Sequence, residues 1–314
     1  MAYYLGIDGG GSKTTCAVGD ETSLLARADA GPSNITRVGE TRARESLRQA
    51  VREACASAHI DPHQIQRACI GIAGAGREGV AATVRTIVAQ MIPGEIEVVG
   101  DTVTSVEAAF GAAPGVIVIA GTGSIAYGRN AQGRTARAGG WGFAVSDEGS
   151  AHWIGHAVVH DLLRAIDQKL DNTNDIQAIA DAFPLFRQIQ DVWNVRSLAE
   201  FVRAANSQPD FAALFPLIVA ADAEEVTASV LSRAGGELAR LAAIVTRRLF
   251  ADEASQNSLL HAAMVGGVFR HSEIVRKSFR GELLKLDPRV QVKPEIVEPV
   301  TGALQMARNK KAPK

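Results

Sequence analysis

The chain has only three cysteines in 314 residues, Cys16, Cys55 and Cys69, an odd number scattered without metal-binding spacing. That argues against a disulfide framework and makes a reducing cytoplasm the expected compartment. Neither sign of charge is in excess: 33 Lys plus Arg stand against 34 Asp plus Glu, a formal net charge of −1. A chain so balanced has no bulk electrostatic reason to sit on nucleic acid or anionic lipid. Long hydrophobic runs are missing too. The longest purely aliphatic one, Val116-Ile117-Val118-Ile119-Ala120, is far below the roughly 20 residues of a membrane span. The opening Met1-Ala2-Tyr3-Tyr4-Leu5-Gly6-Ile7-Asp8 has no basic n-region and no long apolar h-region, so no signal peptide is expected. A Ser-His-Asp arrangement with a nucleophile elbow is also absent. The seven histidines form no metal pattern. His152, His156 and His160 do share one predicted helix face at i, i+4, i+8, a spacing open to zinc, but no carboxylate or cysteine partner accompanies them.

What is present is apolar material: 46% hydrophobic and 21% charged residues over 314 positions. This length suits two domains of about 150 residues each, with sizeable cores, and rules out a disordered chain, a collagen or a small stapled scaffold. The basic end, Arg308-Asn309-Lys310-Lys311-Ala312-Pro313-Lys314, reads as a solvated tail.

Tyr3-Tyr4-Leu5-Gly6-Ile7-Asp8 reads as a buried strand ending on a carboxylate, Gly9-Gly10-Gly11 as a turn, and Thr14-Thr15-Cys16-Ala17-Val18-Gly19 as the returning strand. Residues 23–28 read as a third strand. Over residues 41–58, Ala43, Leu47, Ala50, Val51 and Ala54 recur at helical spacing among Arg and Glu, giving an amphipathic helix. Residues 67–73 are strand-like, 80–91 helical, and 95–100 a strand that delivers Asp101; a short helix over 105–110 follows. Ala113-Pro114-Gly115 marks the boundary between a first unit, 1–114, and a second, 115–314.

There the pattern restarts. Val116 to Ala120 is a buried strand, Gly121-Thr122-Gly123-Ser124 a turn, and Ile125-Ala126-Tyr127-Gly128 a return strand. The two halves share almost no sequence; what recurs is strand, glycine turn with hydroxyl residues, strand. Residues 150–248 read as almost continuously helical, interrupted by Asp171-Asn172-Thr173-Asn174 and Ser207-Gln208-Pro209. A strand over 261–265 ends at Gly266-Gly267, a helix follows from Ser272, short strands are expected at 290–292 and 295–297, and a final helix at 302–308. Alternating strands and helices place the chain in the α/β class.

Five segments carry chemistry. In Asp8-Gly9-Gly10-Gly11-Ser12-Lys13-Thr14-Thr15 the glycines let backbone N–H groups turn toward an anion, and Ser12 and Thr14 add hydroxyls. The Lys13-Thr14 pair invites a Walker A reading, but the glycine spacing is wrong and a strand follows. A hairpin turn needing positive φ explains the same glycines. Gly121-Thr122-Gly123-Ser124 repeats the design, and two such loops suggest two lobes gripping a polyphosphate. Asp101 ends a hydrophobic strand, where a carboxylate faces a ligand crevice or caps the next helix. In Gly139-Gly140-Trp141-Gly142-Phe143-Ala144-Val145-Ser146-Asp147-Glu148-Gly149-Ser150, glycines surround an aromatic before two carboxylates, the pattern of a buried turn or of a polar ligand site. Gly266-Gly267-Val268-Phe269 could admit a flat ring against the backbone. Trp153 and Trp193 read as packing residues; Trp141 differs by sitting inside the glycine cluster.

Taken in order, these segments resemble the sugar-kinase, actin and Hsp70 superfamily, and more closely the BadF/BadG/BcrA/BcrD ATPase family with its N-acetylglucosamine kinases. The resemblance rests on residues 6–14, Gly31-Pro32-Ser33-Asn34, Gly71-Ile72-Ala73-Gly74, Gly100-Asp101, residues 121–124, Gly140-Trp141-Gly142 with residues 147–150, and Gly266-Gly267-Val268. It implies an α/β fold of two actin-like (ribonuclease H-like) lobes with a cleft between them and a helical insertion in the second. The final helix would pack back on the first lobe.

The same resemblance implies ATP and Mg²⁺. Gly10, Gly11, Ser12, Lys13 and Thr14 would hold the β- and γ-phosphates, with Asp8 near Mg²⁺, through water. Thr122, Gly123 and Ser124 would form the second phosphate loop, and Gly266 and Gly267 would border adenosine. Asn34, Asp101, the Gly140-Trp141-Gly142 backbone and Asp147 would bind an amino sugar, with Asp101 accepting the proton of the attacking hydroxyl. This fits the small amount of covalent chemistry that phosphoryl transfer asks of a protein.

The expected activity is therefore ATP-dependent phosphorylation of the 6-hydroxyl of N-acetylglucosamine, in a protein with a small-molecule partner and neither nucleic acid nor membrane. Glucosamine or an (N-acetyl)muramic acid is the nearest alternative substrate, and an ATPase switch acting on a protein partner the alternative of another class. The resemblance also suggests a homodimer. Two branches of the wider group fit poorly. The radical-dehydratase activators need several thiolates brought together for an iron–sulfur cluster, which three scattered cysteines do not offer. The zinc-binding repressors and sugar kinases carry a Cys/His motif that is missing here. Ala220-Ala221-Asp222 stands where relatives often show a Gly-Asp pair.

Overall fold

A computed structural model describes residues 2–77, 79–170, 176–207, 209–251 and 259–309. The first half runs β1 (Tyr3–Gly9), β2 (Thr14–Gly19), β3 (Leu24–Ala30), α1 (Ile35–Ser57), β4 (Ile65–Ile72), α2 (Val80–Ala89), β5 (Glu95–Gly100) and α3 (Asp101–Phe110). The second half repeats the strand plan: β6 (Gly115–Ala120), β7 (Ser124–Arg129), β8 (Thr135–Gly139), then six helices, α4 (Ala151–Lys169), α5 (Ile176–Ala182), α6 (Pro184–Trp193), α7 (Leu198–Asn206), α8 (Phe215–Ala220) and α9 (Glu225–Phe250). It closes with β9 (Leu260–Val265), α10 (Gly267–His271), α11 (Glu273–Leu286), β10 (Val290–Val297) and α12 (Pro299–Arg308).

The strand orders, β3-β2-β1-β4-β5 and β8-β7-β6-β9-β10, are the same. In each sheet the first three strands form an antiparallel meander, and the last two run parallel to the first. This is the two-lobed α/β architecture, with the helical insertion falling between β8 and β9.

Period-two alternation decides which helices cover which face. Leu5 and Ile7 of β1 join Leu47 and Val51 of α1 and Val84 and Ile87 of α2 in one core. The other face of that sheet meets α12, through Ala17, Val300 and Leu304 and through Cys69, Met306 and Ala307. In the second sheet Val116 and Val118 face the large core built with α4 and α9, while Ile117, Ala263 and Val265 face Val106 and Ala109 of α3. Helices α3 and α12 thus lie between the sheets, against one another. Their approach depends on glycine: a β-carbon on Gly302 would collide with the Thr104 carbonyl, and one on Gly6 with the Leu304 backbone. Trp153 and Trp193 pack against the large core.

Several sequence expectations change. α1 begins at Ile35, not residue 41, because the Asn34 side chain caps it by accepting from Thr36 N; Gly39 (φ 79°, ψ 163°) then breaks the helical path one turn in. α3 begins at Asp101 rather than residue 105, and its cap is Gly100, so Asp101 is the first helical residue and not the cap. Strand β8 was not expected. The two short strands before the last helix are one strand, β10, with a register irregularity between Val292 and Ile296 around Pro294. The expected helix interruption at Asp171-Asn172-Thr173-Asn174, Gln208 of the second interruption, and tail residues 310–314 lie outside the described residues. No helix among the described residues is long and apolar enough to cross a membrane.

Candidate active site

The parallel registers bring the site together. Gly9, Ile72 and Gly100 are in register at the C-terminal edge of the first sheet, so the segments after β1, β4 and β5 leave it side by side. Ile119, Val265 and Val297 are the corresponding edge of the second. The cleft between the edges measures about 650 Å³. Of the residues singled out from sequence, Gly10, Gly11, Asn34, Asp101, Thr122, Gly123, Ser124, Gly140, Gly142 and Asp147 line it.

The first loop is held from beneath. Gly10 N donates to Lys13 O (2.9 Å), and Gly10 O accepts from Ser33 N and Asn34 N (3.2 and 3.1 Å). Thr14 is buried, its hydroxyl 2.7 Å from both Gly31 O and Ser33 Oγ, so it braces the loop from inside instead of lining the cleft. Ser12 Oγ and Thr122 Oγ1 are 2.7 Å apart and join the first loop to the second. Lys13 turns outward, 3.9 Å from Asp29. In the second loop, Ser124 is buried and its hydroxyl donates to Glu148 O (2.8 Å).

Three carboxylates differ in setting. Burial pushes Asp8 up to about 7, helped by the Asp101 charge and opposed by Lys13. Burial also raises Asp101, whose Oδ1 accepts from Thr102 N (3.0 Å). Asp147 is buried at φ 64°. Its Oδ1 accepts from Gly142 N (3.1 Å), and its Oδ2 lies 2.5 Å from where a β-carbon on Gly123 would stand. It thus fastens the Gly140-Trp141-Gly142 segment to the second loop. Burial raises its pKa, against the pull of the Gly142 amide.

Other expected residues stand outside the cleft lining. Asp8 lies behind the loop near the end of β1. Trp141 is 66% exposed, with the Arg137 guanidinium 4.2 Å from its ring centre. Gly266 and Gly267 sit at the start of α10, Gly266 with φ 101°. The histidine face does not gather a metal set. His152 and His156 pack their rings on Phe211, at 5.4 and 5.1 Å, and His160 bonds Asp161 at 2.9 Å. Among the described residues no three His, Cys, Asp or Glu side chains converge on a metal position.

Sequence reasoning missed Arg37, Arg77, Arg137 and Phe143, all in the cleft wall. Arg37 had a signal: it lies three residues after the Asn34 cap, on the same side of the first turn.

A model of the BadF/BadG/BcrA/BcrD ATPase family matches residues 5–307. The chain belongs to this family. It is 29% identical over 313 residues to the N-acetylmuramic acid/N-acetylglucosamine kinase of Clostridium acetobutylicum, covering 98% of this chain and 99% of that one. Its identity to the N-acetyl-D-glucosamine kinase of Dictyostelium discoideum is 27% over 322 residues, 98% of each chain. In fold it matches a ROK family glucokinase from Streptomyces griseus solved with glucose and AMPPNP, with a TM-score of 0.60, 16% identity and 98% and 99% of the two chains covered. The family match and the duplicated sheets agree on a two-lobed ATPase scaffold.

Proposed function

We propose that this chain is an ATP-dependent amino-sugar kinase that transfers the γ-phosphoryl group to the 6-hydroxyl of N-acetylglucosamine. The observation that carries the reading is the meeting of two glycine–hydroxyl loops, joined by Ser12 and Thr122, with the half-buried Asp101 carboxylate in one cleft. Phosphoryl transfer asks for phosphate positioning, charge neutralisation and a carboxylate beside the acceptor hydroxyl. A base works best when its pKa lies near the working pH, and burial moves Asp101 in that direction. Asp101, as the first residue of α3, is held at the cleft by a helix whose start is fixed by Ser105 Oγ and Thr104 Oγ1 donating to the Asp101 carbonyl (2.7 and 3.0 Å).

In this reading the loops around Gly10, Gly11, Thr122 and Gly123 hold the phosphates. Asn34, Asp147 and the Gly140-Trp141-Gly142 backbone hold the sugar. The Asn34 side-chain oxygen is occupied by Thr36 N and Oγ1 (3.1 and 2.7 Å), which leaves its amide for a sugar hydroxyl. Asp8 fits a divalent cation: among the described residues it forms no ion pair, and its pKa is raised by burial and by the second carboxylate. When bound, Mg²⁺ would neutralise phosphate charge beside Asp8. Closure of the lobes would keep water from competing with the sugar.

A muramic-type sugar is the second reading. The Clostridium relative is named for both sugars, and Arg77 and Arg137 in the cleft wall offer partners for a substrate carboxylate. The deciding experiment measures ADP release with Mg²⁺-ATP across N-acetylglucosamine, N-acetylmuramic acid, glucosamine, N-acetylmannosamine and glucose, with a sugar-free blank. Release that depends on N-acetylglucosamine supports the proposal, and release confined to N-acetylmuramic acid favours the second reading. Equal release in every well, blank included, would replace both with an ATPase that acts on a protein partner.

A further inference from the structure

Arg37 occupies a position that the phosphate loops and the sugar-binding residues leave unexplained. It projects from the first turn of α1 into the cleft wall. A β-carbon built on Gly11 would stand 3.4 Å from Arg37 Cδ, 3.6 Å from its Nη1 and 3.5 Å from the Thr122 hydroxyl. The guanidinium therefore lies over the place where the first loop meets the second. Its Nη2 donates to Asp210 Oδ2 at 2.9 Å, from the helical insertion of the other lobe. Its Nη1 has no hydrogen-bond partner among the described residues.

Charge makes the placement informative. Among the described residues the loop junction otherwise offers backbone amides and the Ser12 and Thr122 hydroxyls. Lys13, the cation within the first loop, is turned out toward Asp29. Asp8 and Asp101, whether neutral or ionised, supply no positive charge to a region that is to receive a polyphosphate. A planar, permanently charged guanidinium with one edge anchored and the other open suits the equatorial oxygens of a transferring phosphoryl group. The anchor comes from the opposite lobe, so the open edge is held in position only when the lobes stand as they do here.

We propose that Arg37 contacts the phosphoryl group in transit and stabilises its charge, and that Asp210 is the positioning residue that aims it. The proposal rests on the phosphoryl-transfer reading above. Arg37 exchanges no atom in the step: the bond from the γ-phosphorus to the ADP oxygen breaks, the bond to the sugar oxygen forms, and the hydroxyl proton passes to Asp101.

The test uses the full chain with the variants R37A, R37K, D210A and D210E, each checked for an unchanged unfolding temperature within a few degrees. On the sugar that the wild type phosphorylates, R37A is expected to lower kcat about 100-fold, the scale of removing one charge-stabilising donor, with the sugar KM within a few-fold. D210A should lower kcat roughly tenfold or less, and D210E should recover most of that loss. R37K should fall between R37A and wild type. Equilibrium binding provides a second readout. Mg²⁺-ADP with aluminium fluoride, a stand-in for the phosphoryl group in transit, should bind the wild type more tightly than Mg²⁺-ADP alone, and R37A should lose that gain. Equal effects of R37A and D210A on kcat, with the fluoride gain intact in R37A, would reduce Arg37 to a clasp between lobes and overturn the proposal. If the wild type phosphorylates no sugar, the kinase reading fails, while the fluoride comparison still decides the role of Arg37.

Discussion

Ser12 and Thr122, 110 positions apart in the chain, meet hydroxyl to hydroxyl at 2.7 Å where the two glycine loops face each other. One such bond is worth about 0.5–1.5 kcal/mol net. Ser12→Ala is accordingly expected to raise the KM for ATP roughly 2- to 10-fold while leaving the sugar KM unchanged. Initial-rate kinetics with each substrate varied in turn check this; a rise confined to the sugar KM would contradict the phosphate-loop assignment.

Asp101→Asn keeps the shape and a hydrogen-bonding group but cannot take a proton. A positioned base contributes about 10²- to 10⁴-fold, so kcat should fall on that scale and the sugar dissociation constant should stay within a few-fold of wild type. Steady-state rates paired with calorimetric titration of the sugar separate the two quantities. A variant with near-normal turnover would remove Asp101 from the role of base.

Asp8 gives a pH signature with a definite sign. Its carboxyl stays protonated up to about 7 in the folded chain, against an ordinary 3.8. Between those values the folded state holds a proton that the unfolded state has released, so this group's contribution to stability declines as pH rises from about 4 to about 7. Asp8→Asn mimics the protonated form. In magnesium-free buffer the variant should therefore unfold at a higher temperature than wild type at pH 8, with a smaller gain at pH 5.5. Thermal scans at the two pH values test the sign, and a gain that grows toward low pH would reverse the assignment.

Asp147 combines a left-handed backbone with a buried acceptor. Asn tolerates that backbone and still accepts from Gly142 N, so Asp147→Asn should raise the sugar KM only a few-fold. Asp147→Ala loses both the tolerance and the acceptor, with about 2–4 kcal/mol of stability lost. It should unfold several degrees lower and raise the sugar KM at least tenfold. Similar behaviour of the two variants would show that the link to Gly142 does not organise the sugar side of the cleft.

Much of this was legible in the sequence because it is local. A hydrophobic strand, a glycine turn and a returning strand announce themselves at Tyr3–Gly19 and again after Gly115, and Asp101 follows directly from the strand before it. What depends on partners far along the chain was not. Strand β8 is short and rich in small residues, Thr135-Ala136-Arg137-Ala138-Gly139, and exists through pairing with β7. Gly39 concealed the first turn of α1 by interrupting the helical period. Thr14 reads as an exposed donor in a Gly-rich loop until its burial against Ser33 is known. The partner of Arg37, Asp210, stands 173 residues away, beyond the reach of any spacing rule.

The placement of α12 has a consequence for how the protein is made. The strands of the first sheet leave the ribosome early, yet one of their faces is covered by Val300, Leu304, Met306 and Ala307. Until residues 299–308 are synthesised, that face, including Ala17 and Cys69, is covered only in part, by α3 through Val103 and through Thr104 over Gly71. The nascent amino-terminal half would leave the rest of that apolar face without its helix throughout translation of the second half.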